Sequence, residues 1–241
     1  MLPLEAVLFD LGGTLDGRGA WRERFHRLLA AAGIICTRDE RAAAFDFAER
    51  QTHTTGAMAT ASLRELVAHH AGWQLEALRV DDPAAVRAIS DRFVADVKAA
   101  TAANRDMLSE LAGRGLKLAV VSNACGNAAR LCEEFGYADL LTAVVDSQVF
   151  GAAKPDVAIF RHALTLVGTR AERTAFVGDR LDRDIEPAKS IGMRTVWIAG
   201  DQNPAAASGA DLVLESVADL PAALSRLSAV HEQRTGALRP A

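Results

Sequence analysis

Lysine is scarce in this chain of 241 residues: Lys98, Lys117, Lys154 and Lys189 are the only four among 27 basic side chains, which face 31 acidic ones. A formal charge of −4 with no basic block gives no footing for a nucleic-acid partner. The three cysteines, Cys36, Cys125 and Cys132, are odd in number and lack CxxC spacing. That argues against a disulfide framework or a zinc knuckle and points to reduced thiols in the cytoplasm. No apolar run approaches the roughly 18 residues of a membrane span. The start, Met1-Leu2-Pro3-Leu4-Glu5, has no basic flank, and its apolar stretch stops at Asp10, unlike a signal or transit peptide. The expectation is a soluble cytoplasmic protein with no membrane partner, its oligomeric state left open.

Half the residues are hydrophobic and about a quarter charged, a balance that supports a buried core. Short apolar runs read as buried parallel strands: Ala6 to Phe9, Leu116 to Val121, Leu141 to Val145, Thr174 to Val177, Arg194 to Ile198 and Asp211 to Leu214. From about residue 101 they alternate with helical patterns, which implies right-handed βαβ units and an α/β, Rossmann-like three-layer core with a mainly parallel sheet.

One connection is far too long for a crossover, because 111 residues separate Asp10 from Ser122. Between Trp21 and Thr101 the spacing is helical: Trp21, Phe25, Leu28 and Leu29 share a face, as do Leu63, Leu66 and Val67, and then Val86, Ile89, Phe93 and Val97. Asp82-Pro83 supplies a cap and first-turn proline for the last of these helices. The expected organisation is a core of residues 1–16 and 101–230, a helical insertion at 17–100 entered and left by linkers near 16–20 and 100–104, and a loosely ordered tail at 231–241.

In an open parallel sheet, ligands bind beyond the carboxyl ends of the strands, so the polar residues that end the apolar runs carry the chemistry. These are Asp10 and Thr14, Ser122, Lys154 and Asp179. A carboxylate nucleophile, a hydroxyl, an ammonium and a second carboxylate suit attack on a phosphoryl group, with Mg²⁺ held by Asp10 and Asp179. The substrate would then be a small anionic molecule.

The segments Phe9-Asp10-Leu11-Gly12-Gly13-Thr14-Leu15, Val121-Ser122-Asn123, Lys154-Pro155-Asp156 and Val177-Gly178-Asp179-Arg180-Leu181-Asp182-Arg183-Asp184 resemble, in order, the four motifs of the haloacid dehalogenase superfamily. The helical insertion is similar to that superfamily's C1 cap. The resemblance implies roles residue by residue: Asp10 as nucleophile and metal ligand, Thr14 ordering the first loop, Ser122 and Asn123 binding substrate, and Lys154 joining nucleophile to phosphate. It further implies Asp179 and Asp184 as metal-site acids, Gly12 giving its carbonyl to Mg²⁺, and Asp182 as a solvated bystander.

One position departs from the pattern. Where the superfamily's phosphatases carry a second Asp that protonates the leaving group, this chain has Gly12. L-2-haloacid dehalogenases also lack that Asp, and Arg41 lies about where they bind halide or carboxylate. Asp179 argues for the metal-dependent phosphatase over them, since paired acids without a cation would repel a haloacid. A phosphate-binding or regulatory protein with impaired catalysis is a further alternative, whereas phosphonatase chemistry is disfavoured because no Lys occurs between Asp10 and Lys98. Asp16 is expected as a turn or cap residue, Cys125 as packing, His53, His69 and His70 as structural or solvent-facing, and Arg22, Arg24 and Arg27 as a solvated face. Residues 52–56 are a loop that could touch substrate.

Overall fold

The computed structural model describes residues 3–54, 56–200, 202 and 209–227; the expected loose tail lies outside them. Among the described residues six strands form one parallel sheet: β1 Ala6–Phe9, β2 Lys117–Ser122, β3 Ala143–Asp146, β4 Thr174–Gly178, β5 Arg194–Ile198 and β6 Leu212–Leu214. Their order is β3-β2-β1-β4-β5-β6. The chain steps outward from β1 on one side, then returns to its other side. The crevice at that reversal is where α/β sheets bind ligands.

Register fixes what lies at the crevice. Phe9 pairs with both Val120 and Val177, so the ends of β1, β2 and β4 are nearly flush. Asp10, Ser122 and Asp179 therefore emerge together. All four β1 residues are buried, because both sheet faces are covered. Ala6, Leu8 and Val121 pack with Ile159 and Phe160 of one helical layer. Val7 and Phe9 point the other way, into a cluster with Leu108, Leu111 and the insertion's Phe25 and Phe93.

The insertion contains α1 Trp21–Ala31, α2 Arg38–Thr54, α3 Leu63–Ala77 and α4 Pro83–Gly113. Ser62 and Glu65 close a reciprocal capping box at the start of α3. Asp82 caps α4 through the amides of Ala84 and Ala85, as the Asp-Pro pair predicts. The second linker, expected at 100–104, is instead helical: α4 runs unbroken from the insertion onto the sheet. Its buried stripe continues through Val97, Thr101, Asn104 and Leu108, so there is no apolar gap at which to end a helix. Among the described residues there follow α5 Ala128–Glu134, α6 Ser147–Phe150, α7 Val157–Val167, α8 Glu186–Ser190 and α9 at 220–227.

Two further expectations change. Arg24 is buried rather than solvated, its guanidinium 4.1 Å from the Phe93 ring centroid and ion-paired with Asp16 at 3.2 Å. Asp16 is no simple turn residue either. Its carboxylate accepts from Gly13 N at 2.7 Å and Trp21 Nε1 at 2.5 Å, which ties the loop after β1 to α1.

Candidate active site

Lys154 lies at the centre of the crevice. Its Nζ donates to Asp10 Oδ1 at 2.6 Å and to Asp184 Oδ1 at 2.7 Å, all three side chains being largely or wholly buried. Burial alone would depress the ammonium's pKa, but the charges of Asp10 and Asp184 outweigh it and hold Lys154 above its ordinary value. One buried cation faces three buried carboxylates, because Asp179 joins this group. Oxygens of Asp10, Asp179 and Asp184 lie within 4.8 Å of one another.

That surplus of negative charge shows in the acids. Burial first, then the charges of Asp10 and Asp184, push Asp179 up to about 8. Burial likewise raises Asp184 to about 6, although Lys154 pulls it down. Asp179 Oδ1 has no hydrogen-bond partner although it is buried. A buried oxygen without a donor, beside two more carboxylates, is the donor set of a hard divalent cation. Asp184 is more committed: Oδ1 serves Lys154 and Oδ2 accepts from Arg180 N at 3.0 Å. Both its oxygens are thus engaged, one of them by Lys154.

Close approach explains two glycines. At Gly178 a Cβ would lie 2.5 Å from Asp184 Oδ2, which leaves no room for a side chain. At Gly13, φ is +84° and a Cβ would stand 2.6 Å from Asp179 Oδ2. Gly12 differs: φ is −74°, ψ is 119°, and the nearest atom to a Cβ is Trp21 Nε1 at 3.6 Å. Neither backbone nor packing requires glycine there.

The remaining expected residues divide. Ser122, Asn123 and Gly12 line the cavity, with the lysine and the three acids. Asn123 does not present a free amide to it, however. Its Oδ1 accepts from Lys154 N and its Nδ2 donates to Lys154 O, which ties the side chain to the lysine's backbone and leaves one Nδ2 hydrogen for the cavity. Thr14 is buried, its hydroxyl is without a hydrogen-bond partner, and it is not among the lining residues. Asp182 is exposed and paired with Arg180, as expected of a bystander.

The cavity holds about 350 Å³, and much of its far wall comes from the insertion. Trp21, Phe45 and Leu66 supply apolar surface; Arg22, Asp46, Glu49, Thr52, His53 and His70 supply polar groups. The expected loop at 52–56 is in part the end of α2, and Thr52 and His53 reach the cavity from it. Thr55 lies outside the described residues. Of the histidines, His69 is exposed and His70 is structural as expected: it is fully buried, stacked on Phe25 at 4.6 Å, and bonded to Gln74 and Glu49. Arg22 is ion-paired with Asp46. Arg41 does not line the cavity, and its Nε is buried without a partner. Cys125 is a buried packing residue whose thiol burial pushes up to about 11.

A parallel α/β sheet that gathers a lysine and three aspartates at its switch point defines a Rossmann-like enzyme with an aspartate-built centre. The chain belongs to the haloacid dehalogenase-like hydrolases, whose family model matches residues 4–192. A glyceraldehyde 3-phosphate phosphatase of Methanocaldococcus jannaschii is 40% identical over 94 residues, 38% of this chain and 40% of that protein. The match thus spans about two fifths of that relative's length. Among solved structures, a HAD phosphatase from Thermococcus onnurineus superposes with a TM-score of 0.55 at 20% identity, over 92% of this chain and 98% of that one. A 2-haloacid dehalogenase from Pseudomonas syringae gives 0.54 at 21%, over 92% and 99%. These two likenesses are to the fold, which serves both reactions. No helix among the described residues is long and apolar enough to cross a membrane.

Proposed function

We propose that this hydrolase is a magnesium-dependent phosphatase of small phosphorylated metabolites, with Asp10 as nucleophile and the helical insertion as a cap over the site. The observation that carries the reading is Lys154 set between Asp10 and Asp184, beside a buried Asp179 oxygen that has no donor. Asp10, Asp179 and the Gly12 carbonyl would hold Mg²⁺, with Asp184 at its edge. When bound, the ion supplies positive charge between nucleophile and phosphoryl oxygens.

The chain's own residues do the rest. Lys154 holds one Asp10 oxygen, which keeps the carboxylate from rotating away and neutralises the approaching phosphoryl group. An Asp10 oxygen attacks phosphorus and gives an aspartyl-phosphate, which water then hydrolyses. Ser122 would donate to a phosphoryl oxygen. Asp179 favours this reading over dehalogenation, and Arg41 lies away from the cavity wall where a haloacid carboxylate would need it. The match to a glyceraldehyde 3-phosphate phosphatase supports a phosphoester substrate.

Phosphate release across a metabolite panel, in Mg²⁺ and in EDTA, tests the proposal beside halide release from 2-chloropropionate. Mg²⁺-dependent phosphate release lost in Asp10→Asn is the expected result. Halide release undiminished in EDTA, with no phosphoester cleaved, overturns it.

A further inference from the structure

Gly12 leaves the leaving-group oxygen without a proton donor on the loop after β1, so another cavity group must supply one if alkyl esters are to be cleaved. The cavity offers few. Asp16 has both oxygens engaged by Gly13, Trp21 and Arg24. Asp46 is ion-paired with Arg22, and His70 has Nε2 on Glu49 and Nδ1 on Gln74. Cys125 carries a thiol too basic to give up its proton readily. His53 remains. It lines the same cavity as Asp10 and Lys154 from the end of α2, and its Nε2 lies 3.8 Å from Glu49 Oε2.

We propose that His53, oriented by Glu49, is the general acid of this site and stands in for the carboxyl group absent at Gly12. This rests on the phosphatase reading above. Glu49 bridges two imidazoles, with His70 at 3.1 Å on its other oxygen, so it is fixed where it can steer the His53 ring. Burial would raise Glu49, but the two imidazoles beside it, His53 and His70, outweigh this and take it down to about 2. A carboxylate that stays ionised keeps its neighbour charged. The Glu49 carboxylate 3.8 Å away raises His53 above its ordinary 6.5, with Asp146 adding to it and burial opposing. The charged and titratable groups about it are Glu49 on its own helix, His70 across Glu49 on α3, and Asp146 at the end of β3.

The step balances. As an Asp10 oxygen bonds to phosphorus, the ester P–O bond breaks, and its electron pair takes the proton from Nδ1 of the His53 imidazolium. The alcohol leaves and His53 is neutral, with Nε2–H still facing Glu49. Nδ1 then accepts a proton from the water that attacks the aspartyl-phosphate. Asp10 departs as carboxylate, inorganic phosphate is released, and the imidazolium is restored.

The test compares glycerol phosphate, a poor leaving group, with p-nitrophenyl phosphate, a good one, in Mg²⁺. His53→Gln is expected to lower kcat on glycerol phosphate by roughly 10²- to 10⁴-fold, and on p-nitrophenyl phosphate by far less. The basic limb of the wild-type pH profile on glycerol phosphate should disappear with it. Adding Gly12→Asp to His53→Gln should recover the alkyl ester. Equal losses on both esters, or no loss on either, overturn the role of His53 while leaving the phosphatase reading intact. If the wild type releases phosphate from neither ester nor from any of the metabolite panel, the phosphatase reading falls and this inference with it.

Discussion

Asn123 grips the backbone of Lys154 from both sides: Oδ1 accepts from Lys154 N at 2.7 Å, and Nδ2 donates to Lys154 O at 2.8 Å. The residue after β2 thus sets where the ammonium of a distant loop stands. Removing both bonds in Asn123→Ala should cost about 1 kcal/mol each and lower kcat on p-nitrophenyl phosphate by about tenfold. Asn123→Asp, which keeps the acceptor and loses the donor, should fall between. An unchanged kcat in a folded Asn123→Ala protein would show that Lys154 is placed by other contacts.

Lys154→Met removes the cation from among Asp10, Asp179 and Asp184. In EDTA the loss of stability should be about 3–5 kcal/mol, the usual cost of stranding buried charge. Mg²⁺ should restore much of it without restoring turnover. Denaturant titrations with and without the metal measure this, and equal losses in both conditions would argue against a cation site beside Asp179.

Metal-free protein should lose stability as pH rises from about 4 to about 8. Asp179 and Asp184 keep their protons up to about 8 and about 6 in the fold, while an unfolded aspartate releases its proton near the ordinary 3.8. The native state therefore binds more protons than the unfolded state in that window, and the slope of stability against pH is negative. Mg²⁺ competes with those protons, so its affinity should climb with pH until about 8. Thermal melts at pH 5.5 and 8 in EDTA, and calorimetry in buffers of different ionisation enthalpy, check both signs.

The neighbouring glycines of the first loop should respond oppositely. Gly12→Asp meets nothing nearer than Trp21 at 3.6 Å and has an ordinary φ, so the variant should fold with a stability change within about 1 kcal/mol. Gly13→Ala forces a Cβ onto Asp179 at φ +84° and should abolish Mg²⁺ binding as well as lower the melting temperature. Mg²⁺ calorimetry on both proteins decides it.

The strands and the crevice were legible because continuous apolar runs ended in polar residues, and flush register then brought Asp10, Ser122 and Asp179 together. What escaped was contact between distant segments. Arg24 occupies an i+3 position from Trp21 and an i−4 position from Leu28, on the apolar face of α1, so its spacing marked it as buried while its charge argued for solvent. Only the partner, Asp16, resolves that conflict, and no local pattern announces an ion pair formed across a turn. Glu49 and His53 were legible as an i,i+4 pair on α2, whereas the bond from His70 was hidden because it exists only after α2 and α3 pack. The grip of Asn123 on the Lys154 backbone was hidden for the same reason, since the two lie 31 residues apart.

The unbroken α4 also decides how the insertion is fastened to the sheet. At 1.5 Å per residue, its 31 residues make a shaft of about 46 Å, rooted in the sheet layer at one end and carrying the insertion at the other. Asn104 on that shaft and Tyr137 beyond β2 both donate to the Leu15 carbonyl, so the shaft is pinned beside the loop that bears Asp10. Of the two connections only 16–20 is free of helix. With the Asp16 carboxylate held by Gly13 N on one side and Trp21 Nε1 on the other, the position of the insertion and that of the loop bearing Asp10 are set by one continuous chain of contacts.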